Sequence, residues 1–203
     1  MRKIPDNMDS PIDNVMITLA DALCPFFKNT GHTPNMITTY SLITGVLSVI
    51  CLYMGYPIAF GILYTISYFF DVMDGHFARK YSMTSKGGDL YDHIKDVSVY
   101  VILIYVVYVK YRKVITITDM AIILLAVFAN CVHLGCQQKY LDKKEDDETL
   151  DHAKCLCPDK RMIYYTRWVG MGTMMLVTIG MILYIHYRCN TYMGVTGQMS
   201  CKA

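Results

Sequence analysis

The chain has 203 residues, the length of one domain, with 54% hydrophobic and 18% charged residues, a net charge of +2 and a mean hydropathy of +0.29. Soluble domains carry roughly a quarter charged residues, so this balance excludes an ordinary soluble domain, a disordered tail and a basic nucleic-acid binder. Positions 36–70 form a run of 35 residues without a charge, which places the chain in a membrane.

Met1-Arg2-Lys3 is basic, but no apolar run follows it, so a cleaved signal peptide is not expected. Ser10-Pro11-Ile12-Asp13 reads as a helix start, with serine as N-cap and proline in the first turn. Ile12, Val15, Met16, Leu19, Leu23 and Phe27 then recur near helical spacing, opposite Asp13, Asn14 and Asp21. This pattern predicts an amphipathic helix, either packed on the rest of the protein or, the favoured reading because a membrane domain follows directly, lying in the membrane interface. Asn29-Thr30-Gly31 ends it, and Thr33-Pro34-Asn35 introduces the first span.

Crossing the hydrocarbon core takes about 20 apolar residues in a helix, and Met36 to Tyr56 supplies them. In the second span only Ile58 to Phe70 is uncharged, so that helix must run on through Asp71 and Asp74. The third has an equally short apolar part, Val97 to Val109, and must begin at Asp92 and Asp96. An antiparallel hairpin of the two would gather all four acids at one side of the membrane. Met120 to Cys136 and Trp168 to Tyr187 complete five expected spans, separated by a polar segment, 137–161, whose charge run at 143–148 reads as a solvated loop. With a cytosolic N-terminus, 14 Lys/Arg fall on cytosolic segments and five on the other side, which puts the acids on the cytosolic face. The expected organisation is a cytosolic segment at 1–35, a transmembrane catalytic domain at 36–190 and a tail at 191–203.

Cys51, Cys131 and Cys136 lie in apolar stretches, where a free thiol behaves as a small hydrophobe. Cys155 and Cys157 have CxC spacing with His152 nearby, a weak metal pattern set against unpaired loop cysteines. His133 and His186, near span ends, read as satisfied packing or interfacial residues rather than ligands, and the methionines of 171–181 as a soft helix surface.

Asp71 and Asp74 are spaced i,i+3 and Asp92 and Asp96 i,i+4, so each pair shares a helix face. A carboxylate at membrane depth costs a few kcal/mol unless it is paired or bound to a cation. One relief is a hydrated rim paired with Arg79, Lys80, Lys86 and Lys95; the other is a divalent metal, and all-oxygen ligands favour Mg²⁺ or Mn²⁺ over zinc. The whole pattern, D-x2-D-G-x2-A-R-x8-G-x3-D-x3-D, is met at Asp71, Asp74, Gly75, Ala78, Arg79, Gly88, Asp92 and Asp96.

On these 26 residues (71–96) the chain resembles the CDP-alcohol phosphotransferase family of membrane enzymes of phospholipid synthesis. Thr33-Pro34-Asn35-Met36-Ile37-Thr38 and the preceding amphipathic helix extend the likeness upstream. The resemblance implies an all-α integral membrane fold, usually of six spans, acting as a homodimer. It implies transfer of a phosphate-linked alcohol group from a CDP-alcohol to a hydroxyl, with release of CMP. It also implies two metal ions held by Asp71, Asp74, Asp92 and Asp96, with Asp96 as general base. Asp74, Gly75, Ala78, Arg79 and Gly88 would line the CDP pocket, and Thr84 or Ser85 could add a hydroxyl. His93 after Asp92 resembles the aminoalcohol branch, which uses CDP-choline or CDP-ethanolamine with diacylglycerol. The other option is CDP-diacylglycerol donating to glycerol phosphate, inositol or serine. A transporter is the leading reading of another class, because intramembrane acids also mark ion paths; it predicts acids spread through the membrane depth.

Overall fold

The computed structural model describes residues 4–141 and 151–196, and the described residues contain helices and no strand. The longer helices are α1 (Pro11–Asn29), α2 (Pro34–Tyr53), α3 (Pro57–Lys80), α4 (Lys86–Tyr111) and α5 (Ile117–Leu141). A four-residue helix, α6 (Ile163–Thr166), and short 3₁₀ turns lead to the last, α7 (Met171–Thr196). Four segments are long and apolar enough to cross a membrane: α2, α3, α5 and the stretch Lys160–Tyr192 that contains most of α7. The protein is a multi-pass membrane protein. At 26 residues α4 is long enough to span, about 39 Å, but Lys86, Asp89, Asp92, Lys95 and Asp96 occupy its first half, so composition alone does not mark it. No further long helix lies between α5 and α7 among the described residues. The charge run at 143–148 and the side chain of His152 fall outside them.

The chain divides into two compact units. The first holds 16–116 and the chain from 178 on. Here α2 packs on α3 and α4. Interhelical hydrogen bonds are the polar glue available where lipid supplies no hydrophobic drive: Ser41 Oγ donates to the Ser67 carbonyl (2.9 Å) and Ser67 Oγ to the Ser41 carbonyl (2.8 Å). Ala20 and Cys24 of α1 pack with Ile37 of α2 and with Met73 and Phe77 of α3. The stripe Val15, Leu19, Leu23 and Phe26 is left exposed on α1. Lys110 donates to the last carbonyls of α2, Leu52 (3.0 Å) and Tyr53 (2.5 Å), closing that helix end.

The second unit holds 2–15 and 117–177. Its core joins Ile4, Met8, Cys136, Cys157 and Ile163. Cys136 and Cys157 form a disulfide across 21 positions, with Cα atoms 5.0 Å apart. This corrects the expectation of unpaired thiols at both, and it removes Cys157 from any metal pair with Cys155. A closing loop brings the two together, which apolar composition around Cys136 does not reveal. His133 is fully buried and takes Gln137 Nε2 at 3.0 Å on Nε2, so its Nδ1–H donates to Thr166 Oγ1, also at 3.0 Å. The packing role expected of it holds, and likewise for His186, whose Nδ1 meets the Tyr111 hydroxyl at 2.8 Å.

Candidate functional site

The acids sit at the joint of the α3–α4 hairpin in the first unit. α3 stops because its last carbonyls are taken up: Tyr81 N–H bonds to Phe77 O at 3.1 Å and Met83 N–H to Ala78 O at 2.8 Å. Ser82 turns the chain with a positive φ of 54°. Ser85 then caps α4, its Oγ accepting from Gly88 N–H at 3.1 Å while its own O–H stays a donor. α4 thus starts on the register that turns Asp92 and Asp96 toward α3.

One oxygen each of Asp71, Asp92 and Asp96 lies within 4.8 Å of the others, close enough to hold one cation. Asp74 is not one of these three; it is buried, and its Oδ2 accepts from Thr38 Oγ1 at 2.6 Å. Thr38 enters from α2, whose N-terminus is set by Thr33 as N-cap. The upstream Thr-Pro-Asn stretch therefore reaches the site through a residue that the spacing of acids could not identify.

Lys95 is one of the four cations that the alternative of a hydrated rim pairs with the acids; it does pair with them, but it is buried rather than hydrated. Its side chain is only 1% exposed and its ammonium pairs with Asp71, with Asp92 (2.9 Å) and with Asp96 (2.9 Å). Lys80 turns away instead, to Asp21 of α1 at 2.8 Å. His76, a variable position of the signature, also meets Asp21 at 2.8 Å and is buried. These two side chains, Lys80 first, hold the Asp21 carboxyl down at about 2.

The small residues have visible work. The Arg79 guanidinium folds back over Gly75, where a Cβ would stand 3.3 Å from Nη1. A Cβ on Gly88 would stand 3.2 Å from Asn35 Oδ1 and 3.1 Å from Ser85 Oγ, so glycine lets α4 start against α2. Ala78 is half-buried beside them. His93, the residue behind the aminoalcohol expectation, uses its Nδ1–H on the Asp89 carbonyl one turn back (2.9 Å). The three acids of the triad gather at one locus.

The sequence profile of the CDP-alcohol phosphatidyltransferase family matches residues 31–197. The chain is also similar to the CDP-diacylglycerol–inositol 3-phosphatidyltransferase of Candida albicans (strain SC5314 / ATCC MYA-2876), at 24% identity over 164 residues, covering 72% of this chain and 71% of that protein. No solved structure matches the chain. Enzymes of this family use divalent metals, and an all-carboxylate donor set within 4.8 Å suits Mg²⁺ or Mn²⁺.

Proposed function

The chain belongs to the CDP-alcohol phosphatidyltransferase family, and from that premise we propose that it moves the phosphatidyl group of CDP-diacylglycerol onto a hydroxyl of a small polar alcohol, inositol first among them, releasing CMP. The reaction class follows from membership. The donor and acceptor rest on the named activity of the Candida albicans relative. The aminoalcohol reading is placed second, because His93 is engaged with its own helix at Asp89.

The reaction joins the acceptor oxygen to the phosphorus that bears diacylglycerol and breaks that phosphorus's bond to the CMP oxygen. Asp71, Asp74, Asp92 and Asp96 would hold two divalent cations, Mg²⁺ or Mn²⁺. Such ions, when bound, neutralise the diphosphate and the departing CMP. Asp96 is the most exposed of the triad (43%, against 25% for Asp71 and 31% for Asp92), so an acceptor can reach it, and it takes the hydroxyl proton. Thr38 fixes the carboxylate of Asp74. Arg79, Gly75, Ala78, Gly88 and Ser85 line the CDP side, with Arg79 supplying a permanent charge for phosphate oxygens. The observation that carries this reading is the convergence of Asp71, Asp92 and Asp96 at the hairpin joint.

We place the site on the cytosolic face, on the strength of the Lys/Arg distribution. The same Lys/Arg count assigns 137–161 to the cytosol, and the Cys136–Cys157 disulfide argues against that assignment, since cytosolic thiols are kept reduced. Cys155, exposed and outside that disulfide, decides between them: labelling by a membrane-impermeant maleimide from the cytosolic side only supports the assignment, and labelling from the opposite side only reverses it. A homodimer is part of the same reading, checked by light scattering in detergent.

The test of function is CMP release by purified protein in mixed micelles with Mn²⁺. One panel offers CDP-diacylglycerol with inositol, glycerol phosphate or serine. The other offers CDP-choline or CDP-ethanolamine with diacylglycerol. CMP from the first panel, lost in EDTA, supports the proposal; CMP from the second alone transfers the protein to the aminoalcohol branch.

A further inference from the structure

The signature leaves position 95 open, and this chain places a lysine there. We propose that Lys95 is a built-in counter-cation of the acidic site: its ammonium holds Asp71, Asp92 and Asp96 together in the metal-free protein and must withdraw for a divalent cation to load. The proposal rests on the metal reading above and goes beyond it by giving the site a resident competitor.

The register makes the arrangement possible. Lys95 follows Asp92 by three residues, on the same face of α4, and immediately precedes Asp96. Its side chain, 1% exposed, has no water to solvate it, and a buried ammonium is tolerated only with partners. It finds all three carboxylates. These are the same three residues whose oxygens lie within 4.8 Å of one another. Without a cation among them, three carboxylates at membrane depth would drive α3 and α4 apart. The ammonium therefore closes the hairpin joint before any metal arrives.

The same contacts oppose metal binding. Mg²⁺ requires carboxylate oxygens at about 2.0–2.1 Å in near-octahedral order. An ammonium hydrogen-bonded to three of those carboxylates takes up lone pairs that the metal needs, and its charge repels the incoming ion. Lysine has a flexible four-carbon stem and can vacate the cluster without moving the backbone. Ser41 Oγ, 3.4 Å from Nζ on the α2 side, offers an acceptor to the displaced ammonium. The cluster thus exchanges a fixed univalent cation for a divalent one.

The experiment uses the full chain in detergent, stripped with EDTA, as wild type, Lys95→Met, Lys95→Arg and Asp92→Asn. Mn²⁺ binding is read from the electron paramagnetic resonance signal of the free ion, and unfolding temperature is read with EDTA and with saturating Mn²⁺. Lys95→Met should bind Mn²⁺ on the order of tenfold more tightly than wild type, because a competing charge has gone. It should melt lower than wild type in EDTA and level with it in Mn²⁺. Lys95→Arg, which keeps the charge, should melt close to wild type in EDTA. A Lys95→Met protein that is stable only when purified with Mn²⁺ gives the same support. Unchanged or weaker Mn²⁺ affinity in Lys95→Met overturns the proposal, as does a drop in melting that is equal with and without Mn²⁺, the mark of a purely structural lysine. Wild type that takes up no Mn²⁺ overturns both this proposal and the metal reading. Wild-type binding that Asp92→Asn abolishes leaves the metal reading standing whatever Lys95→Met shows.

Discussion

His133 in the second unit and Asp71 in the first are both polar groups at membrane depth, and their surroundings differ in kind. Each ring nitrogen of His133 has a neutral partner at 3.0 Å, so the group is satisfied and carries no net charge. Asp71 stands with Asp92 and Asp96 around a single ammonium, so the acidic groups outnumber the cation among them. A closed neutral network rigidifies a protein. An open one, with three acidic side chains on one ammonium, leaves oxygens that a further cation can take up. The contrast separates structural polarity from functional polarity without appeal to sequence motif.

Four substitutions test that contrast, from the largest effect to the smallest. Asp92→Asn should cut CMP release by at least about a thousandfold, since it removes a ligand to the ions that carry the transition-state charge. Its unfolding temperature in EDTA should be no lower than that of the wild type, because one repulsive charge has gone; near-normal turnover would end the metal assignment.

His133→Phe should show the reverse. It strands Gln137 and Thr166 without their partner and should cost about 2–3 kcal/mol of stability. Turnover per folded molecule should stay within a factor of about three in the same assay, because no reacting group has been touched. A loss of turnover as deep as that of Asp92→Asn would erase the distinction drawn between the two regions.

Thr38→Val lies between the two classes. It leaves the volume of α2 intact and deletes the hydroxyl that holds Asp74 at 2.6 Å. The expected loss is about tenfold in kcat/KM, the worth of one hydrogen bond to a charged group. Steady-state kinetics at saturating Mn²⁺ check it.

Asp21→Asn should have the smallest effect. Lys80 and His76 hold this carboxyl at about 2, below its value of about 3.9 in an unfolded chain. The pair's contribution is therefore complete above roughly pH 4 and is lost as the pH falls toward 2, where the folded protein also takes the proton. Asp21 is 54% exposed, so the contribution is under about 1 kcal/mol. The melting-temperature gap between wild type and Asp21→Asn should be flat from neutral pH to about 4.5 and close by pH 2; a gap that persists there would show that the side chain matters for packing rather than charge.

Much of this architecture is legible in the order of the residues. Ser10 and Pro11 mark where α1 begins, and Pro34 and Pro57 where α2 and α3 begin. The expected span at 120–136 lies within the helix Ile117–Leu141, and that at 168–187 overlaps the helix Met171–Thr196, because helices continue past the last apolar residue. The acids of the signature are legible because spacing on a helix dictates shared faces. Thr38, the reach of Lys95 to Asp71 and the Cys136–Cys157 pair are not, because each acts across elements whose approach no local period encodes. The Asp21 contact with His76 and Lys80 is of the same sort: an acid on the polar face of an amphipathic helix has no visible partner until that helix docks.

Sequence alone determined that the chain is helical and membrane-embedded, and that four acids fall at the facing ends of two consecutive spans. Charge, apolar run length and helical spacing are properties of neighbouring residues, and these carried that much. Only the tertiary structure decided which acids meet. It set Asp71, Asp92 and Asp96 around Lys95 and joined Asp74 to Thr38. That division depends on how α2 packs against the α3–α4 hairpin, and packing geometry is settled by contacts among residues far apart in the chain, such as the 26 positions that separate Ser41 from Ser67.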